Sequence, residues 1–255
     1  DDQLAHFVRL GSDYKSNYYG NEVPLMLTPG GRLYDKYLLA DCEAVWPQEN
    51  MVDIPLTVFT KLKKERNQAK ANGLASYNRA YSAYDASQPK NKVTIMGNPT
   101  LGEVKTVVIG VRNLASQNKS GEVWINELRL KEYENSGGWA AQGNLNVQLS
   151  DFGSVNVQGR YVSQGFGGLE QGVAERTTDD TGNYTVTTNF DLGKFFPDKA
   201  KVSVPLYYSV TKEKISPKYN PLDSDMLLDD ALESAGSKQE RDSIESIAVT
   251  KTTQT

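Results

Sequence analysis

AQGNLNVQLSDFGSVNVQGRYV, residues 141–162, decides the fold. Up to residue 149 the odd positions are Ala141, Gly143, Leu145, Val147 and Leu149, and between them stand Gln142, Asn144, Asn146 and Gln148. Asp151 and Phe152 interrupt the run. The alternation then resumes as Gly153, Val155, Val157, Gly159 and Tyr161 against Ser154, Asn156, Gln158 and Arg160. A period of two with one apolar and one polar face predicts two strands joined by a tight turn. Each strand has about the ~9–11 residues needed to cross a bilayer at a tilt.

The pattern recurs downstream. Tyr184, Val186, Thr188, Phe190 and Leu192 alternate with Thr185, Thr187, Asn189 and Asp191. After the connection 193–200, Val202, Val204, Leu206, Tyr208 and Val210 alternate with Lys201, Ser203, Pro205, Tyr207 and Ser209. The connections 151–152 and 193–200 are short, whereas 163–183 and 212–247 are long. An up-and-down barrel puts short turns on one side of a membrane and long loops on the other, and a soluble sandwich has no reason to sort them so. Trp139, Tyr161, Tyr184, Phe195, Phe196 and Tyr208 gather near strand ends, as in an interfacial girdle. The second long loop is expected to carry two short helices. One is capped by Asp223 or Ser224 and runs through Met226, Leu227, Ala231 and Leu232 to Gly236; the other begins at the capping box Ser237–Glu240.

Ser136, Gly137 and Gly138 separate this half from a different first half. Residues 1–135 are expected to form an extramembrane β-sandwich with one helix, and 136–255 a partial transmembrane barrel. Phe7–Leu10 and Val23–Leu27 read as strands or ordered loops, and Val93–Met96, the nearly continuous apolar run 104–111 and the alternating run 123–130 as strands. The helix should follow Pro55, run to Ala71 and stop at Gly73, with Leu56, Phe59 and Leu62 as its apolar stripe. Lys61, Lys63, Lys64 and Arg66 read as a solvated basic face, and 74–91 as a long loop.

Composition narrows the function. The chain has 255 residues, a net charge of −4 and 38% hydrophobic residues, with a mean hydropathy of −0.55. No run of ~18 apolar residues is present, so no transmembrane helix is expected, which leaves a β-barrel open. The acidic balance disfavours nucleic acid as a partner, because phosphate binding draws on clustered Lys and Arg. Cys42 is the only cysteine, expected as a small buried residue; its neighbours Asp41 and Glu43 supply none of the positive charge a reactive thiol needs. His6, the only histidine, reads as structural. No G-x-S-x-G, P-loop or H-E-x-x-H is present, so neither an enzyme nor a cofactor is expected. The Gly165-Phe166-Gly167-Gly168 run lacks the Lys and helix of a phosphate loop. Asp179, Asp180 and Asn183 beside Gly182 read as a polar turn, and Asp223, Asp225, Asp229 and Asp230 as helix-start residues, with calcium the alternative for both. Both chain ends read as cut, which makes the chain an internal stretch of a longer protein.

Several segments together, GEVWINE continuing into LRL, GGWAAQGNLNVQLSDFGSVNVQGRY, GFGGLEQ and YNPLD, resemble the SprA family of cell-surface proteins. YYGNEVPL, VWPQEN, KKERN and GNPTLGEVKTVVIGVRN resemble it as well, so the likeness spans nearly the whole chain. The resemblance implies a very large outer-membrane barrel, the translocon of type IX secretion, which also supports gliding motility. It would pass folded cargo proteins through a wide pore, with a barrel partner over a lateral opening and a periplasmic plug. On that reading Leu145, Val147, Leu149, Val155, Val157, Val186, Phe190, Leu192, Val202, Val204, Leu206 and Val210 face lipid. Asn144, Asn146, Gln148, Asn156, Gln158, Arg160, Thr185, Thr187, Asn189 and Ser203 line the pore. The alternative is a surface β-sandwich binding glycan or protein through Tyr77, Tyr81 and Tyr84.

Overall fold

In a computed structural model, residues 3–28, 30–132, 134 and 136–255 are described. The chain is mainly β, 38% strand against 21% helix, with antiparallel sheets, which is the expected class. It divides into two compact units, residues 1–127 with 223–241, and residues 128–222 with 242–255. The sequence puts the boundary at 135/136 and gives 212–247 to a barrel loop; instead 223–241 folds with the first unit.

The first unit is built on strands β1 (Leu4–Asp13), β2 (Asn17–Pro24), β3 (Tyr81–Tyr84), β4 (Lys92–Met96) and β5 (Thr106–Asn113). They form one sheet in the order β3-β4-β2-β1-β5, antiparallel throughout. The long loop expected over 74–91 therefore contains an edge strand. A short helix, α1 (Leu39–Val45), precedes the main helix α2 (Thr57–Ala71). Helix α2 lies against one sheet face, where Phe59 and Leu62 meet Tyr19, Val93 and Ile95. Tyr19 and Phe59 have ring centroids 5.2 Å apart. Gly73, at φ +74°, ends the helix as expected.

The turn after β4 depends on a second glycine. Gly97 has φ +75°, and a Cβ there would lie 2.4 Å from the Ser16 carbonyl oxygen. Gly97→Ala is expected to cost about 1–3 kcal/mol through backbone strain. Increased hydrogen exchange at the β2–β4 pairing would report it, and unchanged protection would contradict the strain.

The alternation at 123–130 does not become a strand. The segment has no regular secondary structure, and Val123, Trp124, Ile125, Leu128 and Leu130 are all exposed. Alternation sets which faces a strand would present; a ladder needs a neighbour as well. Asp223–Leu227, expected as the start of a helix, is strand β10, and helix α3 (Leu228–Glu233) begins only after it. Helix α4 (Lys238–Ala248) starts as expected, with Ser237 Oγ accepting from the Glu240 backbone N–H at 3.1 Å.

The second unit is a five-stranded antiparallel sheet. Its strands are β6 (Ala140–Leu149), β7 (Gly153–Val162), β8 (Asp179–Asp191), β9 (Pro205–Pro217) and β11 (Thr250–Gln254). The order is β11-β9-β8-β7-β6, so consecutive strands pair as hairpins and β11 joins the free edge of β9. The 150–152 turn closes with the Phe152 N–H on the Leu149 carbonyl at 2.9 Å. Strands β8 and β9 extend beyond their expected ends into the long connections. Asp179, Asp180 and Asn183 accordingly lie in β8, not in a polar turn.

Val202, Ser203 and Val204 precede β9 rather than belonging to it. Asp191 Oδ1 accepts from the Gly193 N–H at 2.9 Å and from the Val204 N–H at 3.1 Å. That clamp holds the connection folded up to Pro205. Leu192 likewise follows the end of β8 and lies in a 3-10 turn.

Candidate functional site

Two features stand out by geometry: the two-faced sheet of the second unit and a buried ionic cluster in the first.

Register fixes the faces of the sheet, because directly paired residues project to the same side. Leu145 pairs with Val157, Val157 with Val186 and Val186 with Val210, giving one apolar row across four strands. Val147, Val155, Thr188 and Tyr208 make the next row, and Leu149, Gly153, Phe190 and Leu206 the third. Nine of the twelve residues expected on the apolar side, all but Leu192, Val202 and Val204, thus share one face. The opposite face carries Asn144, Gln158, Thr185 and Thr211 in one row and Asn146, Asn156, Thr187 and Ser209 in another. Gln148 and Asn189 flank Ser154 in a third, and Arg160 pairs with Gln142 and Asn183. Ser203 falls outside the strands.

Side chains on the polar face satisfy one another across strands. Thr185 and Thr211 hydroxyls lie 3.0 Å apart, Thr187 and Ser209 3.2 Å, and Asn156 donates to Asn144 at 3.3 Å. The apolar face is not covered: Leu145 is 60% exposed and Leu206 46%. A soluble sheet hides such a face against a second layer. Rings mark both ends of the sheet. Trp139 and Tyr161 centroids are 4.9 Å apart at the long-loop end, and Phe152 lies 5.3 Å from Phe190 and 4.9 Å from Phe195 at the short-turn end. Strands of ten residues rise ~33 Å, which at a tilt of ~40° spans about 25 Å, the height of an outer-membrane apolar band.

The buried cluster was not visible as such in the sequence. The face of α2 that meets the sheet holds Phe59, Leu62, Lys63 and Arg66, so Lys63 and Arg66 are not part of a solvated basic face. Lys63 Nζ donates to the Pro99 carbonyl at 2.7 Å, Asp223 at 2.5 Å and Asp225 at 2.8 Å. Asp225 also accepts from Tyr19 Oη at 2.7 Å and from the Leu101 N–H at 2.8 Å. Arg66 donates to the Gly97 carbonyl and to Asn98 Oδ1, and stacks over Tyr77 at 4.4 Å. Lys64 bonds Asp230 and Glu233, both at 2.6 Å, and these bonds push its ammonium up to about 12.

Burial pushes the Asp223 carboxyl up, only partly offset by Lys63. Burial acts on Asp225 too, but Lys63, Tyr19 and the Leu101 N–H together hold it below the usual carboxylate range. Tyr19 is pushed up by burial and by Asp225. Asp223 and Asp225 therefore serve as counter-ions to a buried lysine, neither as helix caps nor as a calcium cage. Among the described residues, no group of three His, Cys, Asp or Glu is placed to hold a metal ion.

The remaining candidates are located as follows. Cys42 is exposed, contrary to expectation, because α1 is a short surface helix. His6 is buried on the sheet, where loss of solvent lowers its basicity. Two of the three tyrosines proposed for a glycan site have other contacts: Tyr77 stacks under Arg66 and Lys70, and Tyr81 packs against the core. Tyr84 is exposed. Among the described residues no helix is long and apolar enough to cross a membrane.

No curated protein matches the chain. A family profile described as SprA_N, motility related/secretion protein, matches residues 1–232. That match takes in the first unit's sheet and the hairpins β6–β9, and by it the chain belongs to the SprA_N family of motility-related and secretion proteins.

Proposed function

We propose that the second unit is a stretch of the wall of an outer-membrane β-barrel, part of a translocon that passes folded proteins to the cell surface. Membership of a secretion and motility family supports the general role. The observation that carries the barrel reading is the uncovered apolar face backed by a hydrogen-bonded polar face in one sheet. In lipid such a sheet has its apolar rows solvated by acyl chains and its inner strands paired along the ladder, and the outer edges of β6 and β11 require further strands to close the barrel. The central polar rows are Asn, Gln, Thr and Ser, and charge enters only in the row nearest the long loops, where Arg160 and Glu213 both flank Asn183. A hydrated cargo slides past neutral amides and hydroxyls without forming ion pairs. On this reading the chain does no covalent chemistry and takes no cofactor. Its partners are outer-membrane lipid, the cargo, a barrel protein at a lateral opening and a periplasmic plug.

Site-directed labelling tests the assignment. In a Cys42→Ser background, Asn156→Cys and Val157→Cys place thiols on opposite faces of the same strand. In bilayers Asn156→Cys is expected to react with a charged, membrane-impermeant maleimide, and Val157→Cys to be protected. Equal reaction of both from water would refute the barrel.

A further inference from the structure

Beyond the apolar rows the outward face changes chemistry. The next row toward the long-loop end is Gly143, Gly159, Tyr184, Lys212 and Thr253, and the one after it Ala141, Tyr161, Gly182, Lys214 and Lys251. Three lysines and two tyrosines thus stand on the face that carries Leu145 and Val157, immediately past its apolar rows. Lys214 and Lys251 are direct cross-strand partners, an arrangement of like charges that destabilises a sheet unless an anion lies between them. Glu245 engages Lys251 at 2.8 Å. Lys212 and Lys214 are exposed, and no carboxylate bonds either of them among the described residues.

The same rows border an open hollow of about 1050 Å³, which Asp180 and Glu213 also line. Its floor is glycine, and the fold does not demand glycine there. A Cβ at Gly143 would meet nothing within 4 Å, at Gly159 only a carbonyl oxygen at 3.9 Å, and at Gly182 the Tyr161 ring at 3.5 Å. The glycines leave open space between the tyrosine rings and the lysines, and the Asp180 carboxylate at the far edge is taken up by the Gln164 N–H at 2.8 Å.

We propose that this hollow binds the phosphate-bearing headgroup of an anionic lipid, with Lys212, Lys214 and Lys251 on the phosphate and the acyl chains on the Leu145–Val157–Val186–Val210 row. The inference rests on the reading that this face meets lipid, and adds which lipid it selects. Charge complementarity and position carry it: cations stand where an apolar band ends, at the depth of headgroups. A free anion would leave the adjoining apolar rows unused; a lipid fills both.

The test uses the chain reconstituted in bilayers. Trp46→Phe and Trp124→Phe leave Trp139, packed against Tyr161, as the only tryptophan, which is excited selectively over the tyrosines. Quenching is compared between dibrominated phosphatidylglycerol and dibrominated phosphatidylcholine. The anionic lipid is expected to win by about fivefold per lysine engaged. The Lys212→Gln/Lys214→Gln/Lys251→Gln variant is expected to lose that preference while neutral lipid quenches as before. Gly143→Leu fills the hollow without touching the charges and should weaken the preference too. Equal quenching by both lipids in the parent, or a preference that survives the triple variant, overturns the proposal. Binding of soluble polyglutamate with no lipid preference assigns the band to an acidic protein and also overturns it. Absence of quenching by either lipid removes the lipid-facing reading itself.

Discussion

Lys63→Met is expected to destabilise the first unit by about 3–5 kcal/mol, the cost of leaving buried carboxylates without their cation. For a unit of this size that is a fall of about 10–20 °C in unfolding temperature. Lys63 is fully buried, and Asp225 has only 4% of its side chain exposed, so water cannot replace the lost ammonium. The Pro99 carbonyl loses its donor as well. Hydrogen exchange on β2 and β4 in the full chain reads the effect, and a loss below about 1 kcal/mol would place the cluster with ordinary surface ion pairs. The triple variant Lys63→Met/Asp223→Asn/Asp225→Asn should recover much of the stability, because the uncompensated charge, rather than the missing bridge, is the main cost.

The pH dependence carries a sign. Asp225 is held low in the folded protein, so its contribution is present above the unfolded carboxylate value of ~3.9 and is lost as pH falls through the folded value. Asp223 is held high, so its contribution is complete below that unfolded value and is lost as pH rises through its folded one. Without Lys63, burial and Asp225 push the Asp223 carboxyl further up, and Asp225 keeps only Tyr19 and the Leu101 N–H against burial, so it rises as well. The deficit of Lys63→Met against the parent should therefore shrink as pH falls from neutrality toward ~4. A deficit independent of pH would mean that packing, not charge, causes it.

Why this cluster escaped the sequence is a matter of range. Lys61, Lys63, Lys64 and Arg66 crowd one helix, and such a run ordinarily faces water. What buries Lys63 is a pair of aspartates, Asp223 lying 160 residues away and Asp225 162, and no local pattern links them. Asp223–Leu227, expected as a helix start, is a strand that carries both aspartates. One local signal was present: Phe59, Leu62, Lys63 and Arg66 share the spacing of a buried stripe, so the charged members were on the core side by period alone. The hairpin at 140–162 was legible because everything that determines it is local. The alternation fixes the faces, the 150–152 break fixes the turn, and the turn fixes the register. At Val202 and Val204 the alternation persisted through residues that the Asp191 clamp keeps out of the ladder. The lysine band carries no such signal, because the apolar–polar alternation ends at Val210 while β9 continues through Lys212 and Lys214.

The second large effect separates three neighbouring choices. Val157→Arg places a guanidinium in the middle of β7, on the apolar row between Leu145 and Val186. At the bilayer midplane this should cost about 2–4 kcal/mol of membrane assembly. Val204→Arg, which equal strand membership would make just as damaging, lies in the connection before β9, beside the short-turn end. There the cost should fall to about 0–1 kcal/mol, because an interfacial arginine reaches water. Asn156→Arg, one residue from Val157 but on the polar face, should assemble like the parent. Recovery of protease-protected, heat-modifiable protein from phosphatidylcholine vesicles ranks the three. The expected order is Asn156→Arg, then Val204→Arg, with Val157→Arg far below. If Asn156→Arg fails as badly as Val157→Arg, both faces are packed against protein and the sheet is no barrel wall. If Val157→Arg assembles normally, its face does not meet lipid, and the apolar rows must be buried by another protein surface.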